Sequence, residues 1–365
     1  MSLDSKFNQA DIILSRMTTA AEKEIVRAYA ASLKKIRAQL AEIYAKYERE
    51  GALTYAEMAK YNRLNNLFSD VSGELKNMTG ANARLTKKLA SDVYQESYYR
   101  AAWAIEGEVQ AALRYGLLNP KTIEASVQNP LSGLTLNERL QKNRADVIVR
   151  LREQITQGLV QGESYAKMAA RIKGVLEGDA AKAVKVAQTE AHRNQMAGRL
   201  ASSQHASEAG VKFKKVWIAT LDTKTRDTHQ AMDGQAVDPD EDFKSPSGAS
   251  GPAPGMLGAA SEDINCRCSF RLEIEGYGPE VRRARGEDGQ SELVRQQSYK
   301  EWAEAKGVGL KYKGPEPSLS KTAATKPFTT NETQARIEKA RELLTEQKRL
   351  QAELRKVNAA LKKFD

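Results

Sequence analysis

The chain has 365 residues, with 57 Lys and Arg against 47 Asp and Glu, which gives a formal net charge of +10 and an isoelectric point near 9.3. Its length is enough for two or three domains, and a hydrophobic fraction of 41% permits folded cores. No stretch is long and apolar enough to span a bilayer, and the first residues do not form a secretory signal. We therefore expect a soluble protein that is made in a cytoplasm and does not contact a membrane.

The chain contains two cysteines, Cys266 and Cys268, separated by one residue. Two thiols so close along an extended strand cannot easily form a disulfide with each other, so we expect the protein to work under reducing conditions. The positive net charge is compatible with a polyanionic partner such as double-stranded DNA, bound by non-specific electrostatic attraction.

Residues 1–118 are predicted to form a helical region. From Ala20 to about Tyr47, apolar side chains recur at spacings of four and three, which is typical of a helix that packs against partner helices. Thr54 followed by Glu57 indicates a capping box that starts a second helix. Antiparallel packing of these helices and a third one is the expected arrangement.

The third predicted helix begins near Asn82 and carries an aromatic stripe interleaved with cations. The stripe consists of Tyr94, Tyr98, Tyr99 and Trp103, and the cations are Lys87, Lys88 and Arg100. Aromatic rings beside cations can stack on bases and bind phosphates, which would make this face a nucleic-acid surface. The alternative, which we favour, is an interface between helices with amphipathic residues at its rim.

Two Asn-Pro pairs, at 119–120 and 129–130, predict a loop-rich connection to the next helices. Residues 140–210 are predicted to form a helical lead-in to the next segment. Within it we expect an amphipathic helix around Leu151, a short helix capped by Ser164, and a long helix capped by Asp179 that ends near Glu208.

The long helix of the lead-in carries a polar cluster formed by Thr189, Glu190 and Arg193 at helical spacing. We expect Glu190 and Arg193 to form an ion pair that holds this helix against the following domain. Such a pair contributes roughly 0–1 kcal/mol when exposed, so it would matter only if it is partly buried.

Residues 211–278 are predicted to form a small α+β core. It opens with a strand that contains Trp217 and continues into a polar turn with Asp222, Arg226 and His229. If Thr225 caps a short helix there, Arg226 and His229 lie near each other on its surface. Gly234 fits the residue after such a helix, where a left-handed backbone is common.

After a flexible loop rich in Gly, Pro, Ser and Ala, the core closes with Asn265-Cys266-Arg267-Cys268 and a second strand. Alternation of apolar and polar residues places both thiols on the inner face of this strand and Arg267 on the outer face. The fold class is therefore α+β and predominantly α.

The rest of the chain is predicted to contain an extension and linker at residues 279–330 and an amphipathic, coiled-coil-like helix at residues 331–365. Residues 280–365 contain 19 Lys and Arg against 13 Asp and Glu, so more than half of the net charge lies in this part. This surplus favours an interaction arm.

Cys266, Cys268 and His229 could together supply three ligands to a zinc ion, with His205 or Asp222 as the fourth. The usual Cys-x-x-Cys spacing is missing, and a buried Cys is often only a small hydrophobic residue. From the sequence we therefore favour a core without metal or other cofactor and keep zinc as the alternative.

Asp222, Arg226 and His229 could also place a general base, a phosphate binder and a charge close together, as nuclease chemistry requires. We favour a non-catalytic interpretation, in which Asp222, Arg226 and Asn265 form hydrogen bonds across the long loop, where irregular backbone needs partners.

The combination of these motifs resembles the phage Mu F-like head morphogenesis domain of minor head proteins. The similarity covers residues 183–302 and combines a Thr-Glu-x-x-Arg helix, a strand with Trp, a turn with spaced Asp, Arg and His, an Asp-Gly pair, a Pro-rich loop and an Asn-Cys-Arg-Cys motif. These elements are Thr189, Glu190, Arg193, Trp217, Asp222, Arg226, His229, Asp233, Gly234, Asn265, Cys266, Arg267 and Cys268. Tyr299 and Trp302 are similar to an aromatic segment that often follows this domain.

The resemblance implies a structural and assembly role, in which the protein associates with the portal protein and with capsid or scaffold subunits. It also implies a location in the virion, in the capsid interior near the portal, after assembly in the host cytoplasm, with packaged DNA close by. The alternative function is a DNA-processing or toxin-like effector, such as a metal-dependent nuclease, that this domain brings into the virion.

Overall fold

A computed structural model describes residues 3–109, 111, 113–131, 133–274, 281–285 and 291–295, the last two ranges by their backbone alone. The predicted C-terminal helix, the linker and the segment with Tyr299 and Trp302 lie outside the described residues. The division into regions at residues 118, 140, 211, 279 and 331 stays a prediction.

The chain is mainly helical, with small antiparallel sheets, as the sequence predicted. Its helices are α1 (Leu3–Tyr47), α2 (Tyr55–Ala59), α3 (Arg63–Val109), α4 (Pro120–Gln128), α5 (Leu136–Val160), α6 (Tyr165–Glu208), α7 (Asp227–Ala231) and α8 (Ala260–Asp263). Its strands are β1 (Phe213–Ile218), β2 (Ala236–Val237), β3 (Phe243–Lys244), β4 (Ser250–Gly251), β5 (Ser269–Ile274), β6 (Val281–Arg285) and β7 (Ser291–Arg295). None of the helices in the described part of the chain has the length and apolar character needed to cross a bilayer.

Helices α1, α3 and α6 pack against one another and form an elongated bundle with α5. They have 45, 47 and 44 residues, so each is about 66–70 Å long at 1.5 Å per residue. The apolar stripe of α1 that predicted a partner helix is covered by α3 and α6 of the same chain. Thr54 caps α2 as expected, since its side chain accepts a hydrogen bond from the Glu57 amide.

Two helices begin earlier than the sequence predicted. The helix expected from Ala20 begins at Leu3, and the helix expected from Asn82 begins at Arg63. In both cases the spacing of four and three continues upstream, through Phe7 and Leu14 in α1. In α1 the polar residues Asp4, Lys6 and Asn8 concealed the continuation, because they interrupt the apolar pattern although they are buried.

The predicted limits of the helices were wrong in two further places, one before α5 and one inside α6. The connection between the Asn-Pro pairs contains α4, with Asn119 as its N-cap and Pro120 in its first turn. Asp179 does not cap a helix but lies inside one continuous α6, where its carboxylate accepts a hydrogen bond from the Tyr29 hydroxyl (2.7 Å) and pairs with Arg150 (3.1 Å). The presence of an aspartate at position 179 is therefore explained by buried partners on neighbouring helices and not by a local cap.

The aromatic stripe of α3 mainly serves packing. Tyr94 and Tyr98 are buried, and the ring of Tyr98 makes edge contacts with Tyr99 and Tyr115. This confirms the interpretation as an interface for these two tyrosines. Trp103 differs, because half of it remains exposed.

The main sheet has the order β2-β1-β5, and both pairings are antiparallel. The register places Phe213 opposite Ile274 and Trp217 opposite Phe270. The two strands that the sequence identified therefore lie side by side. Beyond β5, strands β6 and β7 form a hairpin that the sequence analysis had treated only as an extension.

The sheet and the ends of the long helices share one apolar cluster. The cluster combines Leu3 and Phe7 of α1, Ile105 of α3, Met196 and Leu200 of α6, and Trp217, Phe270 and Leu272 of the sheet. The face of β5 opposite the thiols is also covered, because Arg271 is buried against Asp4 and Asn8 of α1. The small α+β core is thus built onto one end of the bundle.

The loop between β2 and α8 was expected to be flexible but is packed. Phe243, Ala253 and Leu257 are buried, and the ammonium group of Lys215 donates to the carbonyl oxygens of Glu241 (2.7 Å) and Pro252 (3.1 Å). Burial lowers the pKa of Lys215, against the effect of nearby acidic side chains. A buried lysine in β1 therefore anchors the irregular loop.

We expect Gly198→Ala to destabilise the bundle by about 1–3 kcal/mol, because it overpacks a tight contact between helices. A Cβ atom at Gly198 would lie 2.2 Å from the backbone oxygen of Tyr94, so α3 and α6 would have to separate. Gly174→Ala in the same helix is the control, because a Cβ there meets nothing within 4 Å. It should stabilise the protein by roughly 0.5–1 kcal/mol. Urea unfolding monitored by circular dichroism measures both, and equal effects of the two changes would contradict the close approach.

We expect Lys215→Met to cost about 1–3 kcal/mol, because it keeps the apolar stem but leaves two carbonyl groups without their donor. Lys214→Met is the matched control on the exposed face of the same strand, where Lys214 only approaches Asp238 at 3.5 Å. Its effect should stay within about 0.5 kcal/mol. Limited proteolysis of residues 238–258 should accelerate in the first variant alone. Unchanged stability and cleavage of Lys215→Met would show that the loop is held in another way.

Candidate functional site

The pairing of β1 with β5 positions the residues between them. After β1 the chain forms α7 and returns to the sheet, where Trp217 exchanges backbone hydrogen bonds with Gly234 and Gln235, each at 2.9 Å. Gly234 has a φ of +80°, the left-handed conformation expected for the residue that follows this turn. The sequence had suggested that Thr225 caps α7, but it does not. Its hydroxyl donates instead to the Thr220 carbonyl, and α7 begins at Asp227.

His229 of α7 points into the core and not, as expected, along the surface beside Arg226. Only 1% of His229 is exposed, and its ring makes an edge contact with Trp217, with ring centres 5.4 Å apart. Its Nδ1 atom lies 3.4 Å from Sγ of Cys268 and 3.8 Å from Sγ of Cys266. The structure therefore brings together the two thiols and the imidazole that the sequence identified as candidate ligands.

The other ring nitrogen of His229 faces Glu262 of α8. Nε2 lies 2.9 Å from Oε2 of this carboxylate, although the two atoms are not aligned for a regular hydrogen bond. Glu262 also accepts hydrogen bonds from Thr228 (2.9 Å) and Ser245 (3.2 Å). Burial raises the pKa of Glu262, but these donors, Ser247 and the nearby His229 together hold it below its usual value, so the carboxylate stays ionised.

Glu262 is the residue of this site that sequence reasoning missed. It lies in a short polar segment, Ser-Glu-Asp at 261–263, that looks like the solvent-exposed end of a loop. Glu262 and Asp263 are nevertheless both buried, and the Asp263 carboxylate accepts from the amides of Leu257 (2.8 Å) and Gly258 (2.9 Å). The only signal in the sequence was that backbone amides of the preceding turn need buried acceptors. This signal does not distinguish Glu262 from its neighbours.

The two thiols differ in their tendency to ionise. Burial raises the pKa of Cys266, and the neighbouring Cys268 adds to that effect. Burial also disfavours the Cys268 thiolate, but hydrogen bonding with Cys266 and His229 and the backbone amide of Thr220 lowers the pKa of Cys268 below its usual range. Cys268 is therefore the thiol of the pair that ionises more easily.

The polar residues around the cluster form hydrogen bonds across the loop, as expected. Arg267 pairs with Asp222, with Nη2 3.0 Å from Oδ1, and Arg226 donates to the carbonyl oxygen of Ile264. The backbone amide of Asn265 donates to the Thr189 hydroxyl (3.2 Å) on α6. Asp222, Arg226 and His229 thus face different partners, and the structure does not assemble them into the cluster that nuclease chemistry would require.

Glu190 and Arg193 form the expected ion pair, but this pair does not hold α6 against the following domain as predicted. The pair is buried, with Nη1 of Arg193 3.3 Å from Oε1 of Glu190. Glu190 also binds Arg139 of α5 (2.5 Å), and Arg193 donates to the Asn129 carbonyl (3.2 Å). The pair therefore holds α6 to α5 and the preceding loop, whereas Thr189 provides the contact with the sheet region.

His205, suggested as a fourth ligand, does not join the cluster. Its ring packs on Tyr115 with ring centres 4.4 Å apart, and its Nε2 atom lies 2.8 Å from the Leu113 carbonyl oxygen. The other suggested residue, Asp222, is engaged by Arg267. Within the described residues, the group of candidate ligands that converge here consists of His229, Cys266 and Cys268.

A groove of about 520 Å³ runs beside the cluster, between α1, α6 and the start of β5. Cys266 and Cys268 contribute to its wall, although both are almost completely buried. His192 also lines it, with Nε2 2.7 Å from the Cys268 carbonyl oxygen, and burial lowers the pKa of this histidine. The groove therefore passes beside the segment that carries both cysteines.

Comparisons with known proteins identify the chain's relatives. The family described as "Phage Mu protein F like protein" matches residues 149–271, which include every residue of the cluster. The chain is 35% identical over 302 residues to Minor head protein GP7 of Bacillus phage SPP1, an alignment that covers 82% of this chain and 96% of that protein.

The chain is also 31% identical over 281 residues to NAD(+)–arginine ADP-ribosyltransferase EFV of Enterococcus faecalis. That alignment covers 77% of this chain but only 56% of the enzyme, so this chain corresponds to little more than half of it. No solved structure shows significant similarity. The extent of the similarity to GP7, together with the family match, shows that the chain belongs to the phage Mu F-like family of minor head proteins, with a structural role in phage head morphogenesis.

Proposed function

We propose that this minor head protein works in the capsid interior beside the portal, where its helical bundle contacts the portal protein and capsid subunits. The observation that carries the proposal is the alignment with GP7, which covers 96% of that protein. With 302 aligned residues, it includes most of the bundle as well as the sheet region. The long helices are therefore part of what the two head proteins have in common.

The shape of the bundle supports a bridging role. Three helices about 66–70 Å long bury their apolar stripes against one another and leave polar sides outward. Such a rod can contact different neighbours at its two ends, while the sheet region fixes one end. This is the form expected of an assembly component more than of an enzyme with a deep cleft.

We further propose that the portal binds the end of the bundle that carries Trp103. Trp103 is 50% exposed on α3, and Leu117, which is 97% exposed, lies in the segment that folds back to it. The Leu118 amide donates to the Tyr99 hydroxyl (2.9 Å), which brings this segment to the same side of α3, one helical turn from Trp103. Lys6 lies over the Trp103 ring at 4.8 Å. Exposed tryptophan surrounded by such groups is typical of the centre of protein interfaces.

We propose a non-catalytic role despite the similarity to an ADP-ribosyltransferase. The alignments with GP7 and with the enzyme cover 82% and 77% of this chain, so they share more than half of it. The enzyme has a further 44% of its length outside its alignment, which can accommodate an activity of its own. The burial of His229 between the thiols and Glu262 also supports a structural role for this histidine.

We expect the double variant Trp103→Ala, Leu117→Ala to reduce co-purification with the portal protein of the same phage at least tenfold. The change removes two large side chains from the centre of the proposed contact, each worth roughly 1–2 kcal/mol or more. Tyr61→Ala is the control, because Tyr61 is 84% exposed near the opposite end of α3. Equal retention of the double variant and the control would exclude this end as the portal surface. Failure of the unmodified protein to bind portal, together with its absence from purified particles, would reject the portal proposal itself.

We also propose that this positively charged protein lies next to packaged DNA. With a net charge of +10, the full chain should retard plasmid DNA in a gel without cutting it in the presence of Mg²⁺. Because the contact is electrostatic, retardation should weaken steeply as the salt concentration is raised from about 50 to about 200 mM. His229→Gln should bind and spare the plasmid in the same way. Cleavage by the unmodified protein that disappears in His229→Gln would instead support the nuclease alternative.

A further inference from the structure

We propose that Cys266, Cys268 and His229 bind one zinc ion. The sequence alone favoured a metal-free core, because the spacing of the two cysteines is unusual. The structure changes this balance: the imidazole comes from α7, the thiols come from the segment before β5, and all three ligand atoms lie within 4.8 Å of one another. Thiolate and imidazole are the ligands that zinc prefers.

The distances fit a tetrahedral ion. Zinc binds sulfur at about 2.3 Å and imidazole nitrogen at about 2.05 Å, so a tetrahedral site separates these two ligands by about 3.6 Å. The distances from Nδ1 of His229 to the two sulfur atoms are 3.4 and 3.8 Å. The imidazole nitrogen therefore already lies at about the distance from each sulfur atom that a shared ion requires.

The surroundings of the ligands support the same assignment. Histidine ligands of zinc usually turn their second nitrogen toward a carboxylate, which fixes the ring and strengthens the bond to the metal. Nε2 of His229 lies 2.9 Å from the Glu262 carboxylate while Nδ1 faces the thiols. Glu262 therefore acts as a positioning residue for His229 and not as a ligand.

The three protein ligands leave one position of a tetrahedron for water. The groove of about 520 Å³ is lined by both cysteines, so this position lies on the side where solvent can enter. Zinc binds deprotonated thiols, so each proton still on Cys266 or Cys268 is released to water when the ion binds. The ion then connects α7 to the segment that leads into β5.

The same groups could alternatively form a reactive thiol, with His229 between Cys268 and Glu262. We favour zinc because a second thiol converges on the same imidazole nitrogen, and because Cys268 is almost completely buried. A nucleophile needs neither feature, whereas a buried metal site needs both.

Metal content of the full-length protein, purified without chelators, tests the proposal. We expect one zinc ion per chain by plasma mass spectrometry, and after exchange into Co²⁺ we expect the thiolate charge-transfer and visible bands of a tetrahedral site. Cys266→Ser, Cys268→Ser and His229→Gln should each weaken zinc binding at least tenfold in competition with a chromophoric chelator. His205→Gln is the matched control and should bind zinc like the unmodified protein.

Glu262→Gln separates the site from general folding. It keeps all three ligands, and loss of such a supporting carboxylate typically weakens metal affinity by about 10- to 100-fold. Circular dichroism checks that each variant retains its helices. The proposal is overturned if the unmodified protein takes up neither zinc nor cobalt, or if Cys268→Ser binds zinc as tightly as the unmodified protein. None of these outcomes depends on binding to the portal.

Discussion

The buried guanidinium of Arg199 joins the helical bundle to the sheet. Only 1% of this residue is exposed, yet it donates to the Phe270 carbonyl of β5 (3.0 Å), pairs with Asp11 of α1 and stacks over the ring of Phe7 at 4.7 Å. An arginine cannot lose its charge in such a place, so the energetic cost of burying it requires all these partners at once. The position of β5, and with it the position of both thiols, therefore depends on where α1 and α6 meet.

A second buried arginine repeats this arrangement further along β5. Arg271 reaches Asp4 and Asn8 in the first turns of α1, on the face of the strand opposite the apolar cluster. Both faces of β5 are thus covered, one by Trp217 and its neighbours and the other by polar contacts with the helices. This explains why the start of α1 was not recognised in the sequence: Asp4 and Asn8 look like solvent-exposed residues, but they are buried to serve a strand more than 260 positions away. Helical periodicity does not report such partners.

The sequence predicted local features well and tertiary partners poorly. The alternation after Cys266 identified β5, because strand periodicity is a property of the backbone. The strand begins only at Ser269, however, and both thiols lie in the segment just before it. The position of His229 was wrong for the opposite reason. Its short helix has no apolar stripe, so only the packing of Trp217 and Glu262 around the ring determines that it turns inward. Glu262 itself could not be predicted, since its role comes from contacts of α8 with α7 and with the loop after β3.

The packing of the irregular loop links these observations to function. Between β2 and α8 the backbone is held by Lys215, by the Asp263 carboxylate and by the close approach of Gly251 to the Met256 carbonyl, where a Cβ would lie 1.9 Å from the oxygen. These contacts lie within the sheet region and do not involve the exposed end of α3 with Trp103. The outer surface of the bundle can therefore differ between relatives without disturbing the buried cluster. A head protein and an enzyme can share this region for that reason, since its internal contacts stabilise the fold independently of the outer surface of the bundle.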